Sequence, residues 1–235
     1  MRKKSRQATM MAALLALSVS SCTSPPRDNS LSAEEKKDGW TLLFDGETLS
    51  EWHVYNQPSG VSNWKAVNHT IYCDPTRPVA PADLVTNKIY KDYILQFDWK
   101  LSEAGNSGVF INVLEDPAIP ATWASGPEYQ LLDAKHPDYS NLKKRPGCLY
   151  NFAPQANAVE AKHGDWNTSR IEQQHGKVKF YLNDILTAEQ DFTTAAWRDT
   201  IANTHFREWP EFGKHTEGHI ALQDWKKGYR LKTSK

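Results

Sequence analysis

Residues 92–102 read DYILQFDWKLS, and this stretch restricts the fold more than any other. Tyr93, Leu95, Phe97, Trp99 and Leu101 take alternate positions, with Gln96, Asp98 and Lys100 between them. Side chains of an extended strand point to opposite faces in turn, so a period of two gathers the aromatic and aliphatic groups on one side. A helix would scatter them around its axis. The resulting strand has one dry face and one wet face, and the dry face has to be covered by a second layer.

Shorter pieces repeat the pattern. NWKAVNHTIYC (63–73) reads as a hairpin turning at Asn68-His69, and SRIEQQHGKVKFYLNDILTAEQ (169–190) as a meander turning at His175-Gly176 and Asn183-Asp184. These residue types suit tight turns between strands. SGVFINVLE (107–115) is expected to follow a turn at 105–108, and GHIALQD (218–224) is a late strand. AEEKKDGW (33–40) and FTTAAWRDTIAN (192–203) are expected to hold short helical turns. Many short strands with few helices predict an all-β sandwich or jelly roll.

The first residues stand apart. MRKKSRQATMMAALLALSVSSC has a basic start, a short apolar run and small residues before Cys22, which is the pattern of a signal peptide over residues 1–21. The run is shorter than the roughly 20 residues that span a bilayer. Val19-Ser20-Ser21-Cys22 is similar to a bacterial lipobox, so Cys22 is expected to carry lipid and residues 22–38 to form a polar tether. The folded domain then spans residues 39–235, and the expected location is the periplasm or outer membrane, held there by lipid. Without the signal the charge is 24 basic against 28 acidic residues, which lacks the basic excess of a nucleic-acid binder. Cys73 and Cys148 give no zinc spacing; a disulfide and two separately buried thiols both remain open.

GPEYQLLDAKHPD (126–138) carries the sharpest chemical signal. Strand alternation sends Tyr129 and Leu131 to one face and Glu128 and Gln130 to the other, with Asp133 and His136 just beyond. Arg170, Glu172 and Gln174 alternate on a second strand, and His219 and Gln223, followed by Asp224, on a third. Amides, carboxylates, Arg and His can grip a hydroxyl-rich ligand, because each donates or accepts in fixed directions. Trp123, Trp209 and Trp225 stand in or beside long loops, where they can stack on sugar rings. For Glu172 and Gln174 a solvated outer face is the simpler expectation; for Glu128 and Gln130 it is a groove. Glu128, Asp133, His136 and Asp224 include donors suited to a hard divalent metal ion, Glu128 and Asp133 first among them. The sequence holds no G-x-S-x-G, P-loop or H-E-x-x-H motif.

Seven segments in order carry a family likeness: GWTLLFDGETLSEW (39–52), GNSGVF (105–110), GPEYQLLDAKHPD, GCLYNFAP (147–154), GDWNTSRI (164–171), VKFYLND (178–184) and GHIALQD. Together they resemble the bacterial 3-keto-disaccharide hydrolase family, also described as 3-keto-glucoside 1,2-lyases and 3-keto-2-hydroxyglucal hydratases. The chain departs from that pattern with Phe180 and Trp225 where members often have His. The resemblance implies a concanavalin/laminin-G-like jelly roll that cleaves 3-keto-glycosides, with a separate oxidoreductase making the ketone. It implies proton abstraction at C2 and elimination of the C1 substituent. In that chemistry Glu128 is the expected base or metal ligand, and His136 the next proton carrier. Arg170 would stabilise the enolate, Asn106 and Gln130 would orient oxygens, and Gln223 and Asp224 would close the site. A non-catalytic carbohydrate-binding lipoprotein and an envelope adhesion domain are the alternatives. The anchor has its own test: a labelled fatty acid fed to the producing cell should tag the wild-type chain and leave Cys22→Ser unlabelled. A wild-type chain without label would remove the lipoprotein reading.

Overall fold

The computed structural model describes residues 29–57, 59–225, 229–232 and 235. The signal segment and Cys22 lie outside the described residues. Of the stretch expected to be a tether, residues 29–38 are described, and they lie against the domain. The Asn29 side chain is buried and donates to the His69 carbonyl at 2.9 Å. Ser32 opens helix α1 (Ala33–Lys37) with a capping box closed by Glu35. Glu35 in turn pairs with Lys235.

The strands are β1 (Trp52–Val54), β2 (Trp64–Val67), β3 (Thr70–Cys73), β4 (Leu84–Thr86), β5 (Tyr93–Leu101), β6 (Asn106–Val113), β7 (Glu128–Leu132), β8 (Asn167–Gln174), β9 (Lys177–Leu182), β10 (Ile185–Asp191), β11 (His219–Leu222) and β12 (Tyr229–Lys232); helix α2 (Ala195–Ala202) follows β10. Two antiparallel sheets face each other, one in the order β1-β4-β11-β6-β7 and one in the order β10-β9-β8-β5-β12-β3-β2. This is the all-β jelly-roll sandwich that the strand pattern predicts. No helix among the described residues is long and apolar enough to cross a membrane.

The predicted hairpins turn where expected. Asn68 and His69 have φ of 50° and 57°, His175 and Gly176 have 50° and 76°, and Asn183 and Asp184 have 47° and 66°. Two successive positive φ values are the geometry that matches the twist of the flanking strands. The turn before β6 falls earlier than expected. It occupies 102–105, with Ala104 at φ 53°, and Asn106 already pairs with Leu132. The Asp133 carboxylate, accepting from the Ala104 N–H at 3.0 Å, fixes that position.

Leu95, Phe97, Trp99, Tyr129 and Leu131 are buried between the sheets as predicted, and Tyr93 at the strand end is half-buried. Polar groups tie the layers together inside this core. The Ser169 hydroxyl on β8 accepts from Trp99 Nε1 at 2.8 Å and meets the Tyr129 hydroxyl of the opposite sheet at 2.7 Å. Tyr129 also donates to the Tyr181 carbonyl at 2.9 Å. Asn112 and Gln173 exchange amide hydrogen bonds of 2.7 and 3.0 Å across the layers. Asn112 has φ 55° and stands where the β6–β11 pairing shifts register. Cys73 and Cys148 are separate buried thiols.

The five-stranded sheet is covered on its outer side as well. Tyr55, Val85, Phe110, Val113 and Ala221 form a second apolar cluster there. All five residues of β7 are consequently buried, unlike the half-wet strands of the other sheet. Ser169→Ala should lower stability by about 1–3 kcal/mol, because the buried Trp99 N–H loses its acceptor. Urea unfolding should show a lower midpoint at an unchanged slope. An unchanged midpoint would mean that this tie contributes nothing.

Candidate active site

Alternation along β7 puts Tyr129 and Leu131 in the core, so Glu128 and Gln130 point the other way. Beneath the second covering they meet a cavity of about 200 Å³, whose wall also includes Asn106, Tyr150, Phe206 and Gln223. The neighbouring strand makes room for the acid. Gly108 lies opposite Gln130 in the ladder, and a Cβ there would sit 1.9 Å from Glu128 Oε1. The side chain of Glu128 therefore lies across the glycine. Gln130 Nε2 donates to Asn106 Oδ1 at 2.9 Å, which fixes both amides at the cavity wall.

Aromatic residues supply the outer cover. Phe206 and Phe212 stack with ring centres 4.0 Å apart, and Phe152 stacks on Phe206 at 5.5 Å. Trp197 of α2 donates to the Gly213 carbonyl at 2.8 Å, and the Gly213 N–H bonds the Ser125 carbonyl at 2.9 Å. This joins the 205–213 segment to the loop that precedes β7. Trp123 meets Trp209 edge to face at 4.7 Å. Trp123 and Trp225 stand at the rim, both exposed.

The electrostatics follow from this enclosure. Burial raises the Glu128 carboxyl well above the ordinary carboxylate range; the charge of Asp83 adds to the rise, and Lys144 opposes it. The Glu128 side chain makes no hydrogen bond among the described residues, although it is 9% exposed. Lys144 is held by Asp138 at 2.9 Å. Asp83 lines a second, adjoining cavity of about 490 Å³, which shares Trp123, Gln223 and Trp225 with the first. Burial pushes the Asp83 carboxyl up to about 6; hydrogen bonds from Thr122 and the Asp224 N–H oppose the rise, and the Asp224 charge adds to it.

The structure thus brings together Glu128, Gln130, Asn106, Trp123 and Gln223. The other expected residues stand elsewhere. Arg170 points away from the core of the seven-stranded sheet, stacks over Tyr181 at 4.1 Å and meets Glu172 at 3.3 Å, so it does not share the cavity with Glu128. The outer face of β8 is the solvated one, and a single polar strand face does not reveal which sheet carries it. His136 accepts from the Asp138 N–H at 3.1 Å and caps a 3-10 turn outside the cavity. Asp133 binds the N–H groups of Ala104 and Lys135 and pairs with His163 at 2.5 Å. Burial acts to raise its carboxyl, yet His163 and those N–H groups hold it below the ordinary range. Asp224 lines the larger cavity, but its carboxylate accepts from Asn63 at 2.6 Å, Cys73 at 3.2 Å and the Ala82 N–H at 3.0 Å, which makes it a structural anchor.

No three His, Cys, Asp or Glu side chains among the described residues are placed to hold a metal ion. Glu128 and Asp133, the expected metal pair, belong to separate clusters, so these two carboxylates do not share a site. Sequence reading missed Asp83, Tyr150, Phe206 and Lys144. Asp83 stands alone in APADLV and carries no signal, whereas Phe206 lies three residues before Trp209, one of the loop aromatics that the sequence singles out.

Similar proteins share this fold. A 3-keto-disaccharide hydrolase of Bacteroides thetaiotaomicron is 27% identical over 250 residues, covering 93% of this chain and 86% of the relative. A Parabacteroides distasonis protein provisionally assigned as a glycosyl hydrolase superposes with a TM-score of 0.80 at 28% identity, covering 88% of this chain and 97% of that one. A Bacillus subtilis protein of unknown function with a galectin-like fold shares the fold at a TM-score of 0.53 and 13% identity, over 79% and 88% of the two chains. Residues 39–234 match throughout the domain described above, and the chain belongs to the 3-keto-alpha-glucoside-1,2-lyase-like domain family.

Proposed function

We propose that this protein cleaves the glycosidic bond of 3-keto-glycosides, with Glu128 as the base that takes the C2 proton. One observation carries the reading: a carboxyl free of hydrogen bonds among the described residues lines a partly covered cavity, with its proton affinity raised. A purely sugar-binding module gains nothing from that arrangement, because leaving such a group unpaired is costly. The name of the Bacteroides relative supplies the substrate class.

The chemistry needs a base of raised pKa. A ketone at C3 acidifies the C2 hydrogen. Glu128 removes it, the C3 oxygen takes up the negative charge, and the C1–O bond then breaks by elimination. Addition of water across the new double bond completes a hydrolysis. Ordinary glycosidases instead stabilise an oxocarbenium-like centre between two carboxylates. Lys144, whose field reaches Glu128, offers a positive charge to the enolate in place of Arg170. Gln130 and Asn106 present amides to the sugar oxygens, and Trp123 and Trp225 offer rim surface to the ring. The reading extends to an exported protein anchored through Cys22, facing a periplasmic or outer-membrane pool of glycosides that a separate oxidoreductase has oxidised.

Glu128→Gln should lower turnover of a 3-keto-glucoside by on the order of 10² or more, measured by product release. Full activity in the variant would remove Glu128 from the mechanism. Stability should move the opposite way with pH. A carboxyl whose folded pKa is raised binds its proton more tightly in the native state, so its contribution is complete below the ordinary value and is lost as pH rises through the folded value. The wild type should therefore lose stability relative to Glu128→Gln as pH climbs above the ordinary carboxylate range. Melting curves at several pH values that stay parallel would show that Glu128 is not the strained group described here.

A further inference from the structure

The larger cavity has no part in proton abstraction, yet it is built against the smaller one. Tyr55, Gln57, Pro81, Pro120, Trp123 and Trp225 give it broad, mainly apolar walls with few fixed polar groups. At about 490 Å³ it is more than twice the size of the cavity that holds Glu128. Two acidic residues line it; the Asp224 carboxylate is taken up by Asn63, Cys73 and the Ala82 N–H, and the other, Asp83, is held firmly in place. Thr122 Oγ1 donates to Asp83 Oδ2 at 2.5 Å, and the Asp224 N–H donates to Oδ1 at 2.7 Å. Each oxygen keeps a second lone pair for a proton. Gln223 borders both cavities, and its N–H bonds the Gly108 carbonyl at 3.0 Å, so the two compartments share one wall built on β6.

Given the elimination reading above, on which this inference rests, a second proton is needed. The departing oxygen of a sugar or alkyl alcohol is a poor leaving group unless it is protonated as the bond breaks. We infer that the larger cavity receives the departing group and that Asp83 is the acid that protonates its oxygen. In the forward step the Glu128 carboxylate takes the C2 proton, and the C2–H electron pair moves into the C2–C3 bond as the C3 carbonyl becomes an oxyanion. That oxyanion collapses back to the ketone, C1=C2 forms, the C1–O pair goes to the departing oxygen, and Asp83 gives that oxygen its proton. Asp83 is left as carboxylate and Glu128 as acid. Water then adds by the reverse path: Asp83 takes its proton as the oxygen bonds to C1, and Glu128 returns the C2 proton. One water is consumed, and both carboxyls end as they began. The proton affinity of Asp83, raised by burial to about 6, suits a group that must both give and take a proton near neutrality.

Leaving groups separate this role from a structural one. The full-length protein and Asp83→Asn are assayed on two 3-keto-glucosides, one with a sugar as aglycone and one with a nitrophenol that departs as its anion. The variant should lose on the order of 10² or more on the sugar aglycone and less than about tenfold on the nitrophenyl substrate. The retained nitrophenyl activity also reports that the variant is folded. A wild-type pH profile gives the same test without a variant: cleavage of the sugar aglycone should fall as pH rises past about 6, and the nitrophenyl substrate should lack that fall. Equal losses on both substrates, or no loss on either, with an active wild type would overturn the role of Asp83 alone. A wild type inactive on both would overturn the elimination reading and this inference with it.

Discussion

The position of the candidate base depends on a contact made on the other side of its strand. Inside the sandwich the Tyr129 hydroxyl bridges to Ser169, at 2.7 Å, and to the Tyr181 carbonyl, at 2.9 Å, both in the opposite sheet. With Tyr129 held inward, its neighbours Glu128 and Gln130 have to face outward. A slip of one residue along β7 would exchange the faces completely and bury two polar groups in the main core. The ladder to β6 adds the second constraint, because the register that pins Tyr129 also places Gly108 opposite Gln130, where the Glu128 side chain needs space.

The outward face is not a wet one, and that explains the chemistry. In a simple sandwich Glu128 would be solvated and ordinary. Here Phe110 and its apolar neighbours cover the sheet, and the stacked Phe206 and Phe212 line the cavity, with Phe152 packed on Phe206. The protein thus keeps an ionisable group in surroundings that favour its neutral form, a local violation of good packing of the sort found at functional sites. Asp83 shares that condition in the adjoining cavity, though two hydrogen bonds moderate it. The charge of Asp83 reaches Glu128, so ionisation of the one raises the proton affinity of the other.

Much of this was legible in the chain. The alternation at 93–101, the three tight turns and the facing of Glu128 and Gln130 follow from strand periodicity and turn chemistry, which are local. Asn106, Trp123 and Gln223 line the same cavity as Glu128. Arg170 did not, since alternation tells which residues share a face of one strand and not which sheet that strand joins. His136 and Asp133 were drawn in by proximity in sequence to Glu128, yet the chain turns after β7 and their polar groups satisfy backbone N–H groups and His163. Asp83 and Lys144 were invisible for a related reason. Each enters the field of Glu128 through tertiary packing alone, with no motif around it. The covering of the outer face was equally hidden, because Phe206 and Phe212 lie in an irregular segment without a period to read.

The proposed function stands on transfer of the C2 proton of a 3-keto sugar to Glu128. The most direct measurement uses a 3-keto-glucose analogue with hydrogen in place of the C1 substituent, so that nothing can be expelled and proton transfer is seen alone. In deuterated water the wild-type protein should exchange the C2 hydrogen for deuterium, visible as loss of that proton signal by NMR. Glu128→Gln should slow the exchange by on the order of 10² or more. Exchange at the same rate in the variant, or none catalysed by the wild type, would overturn that role of Glu128.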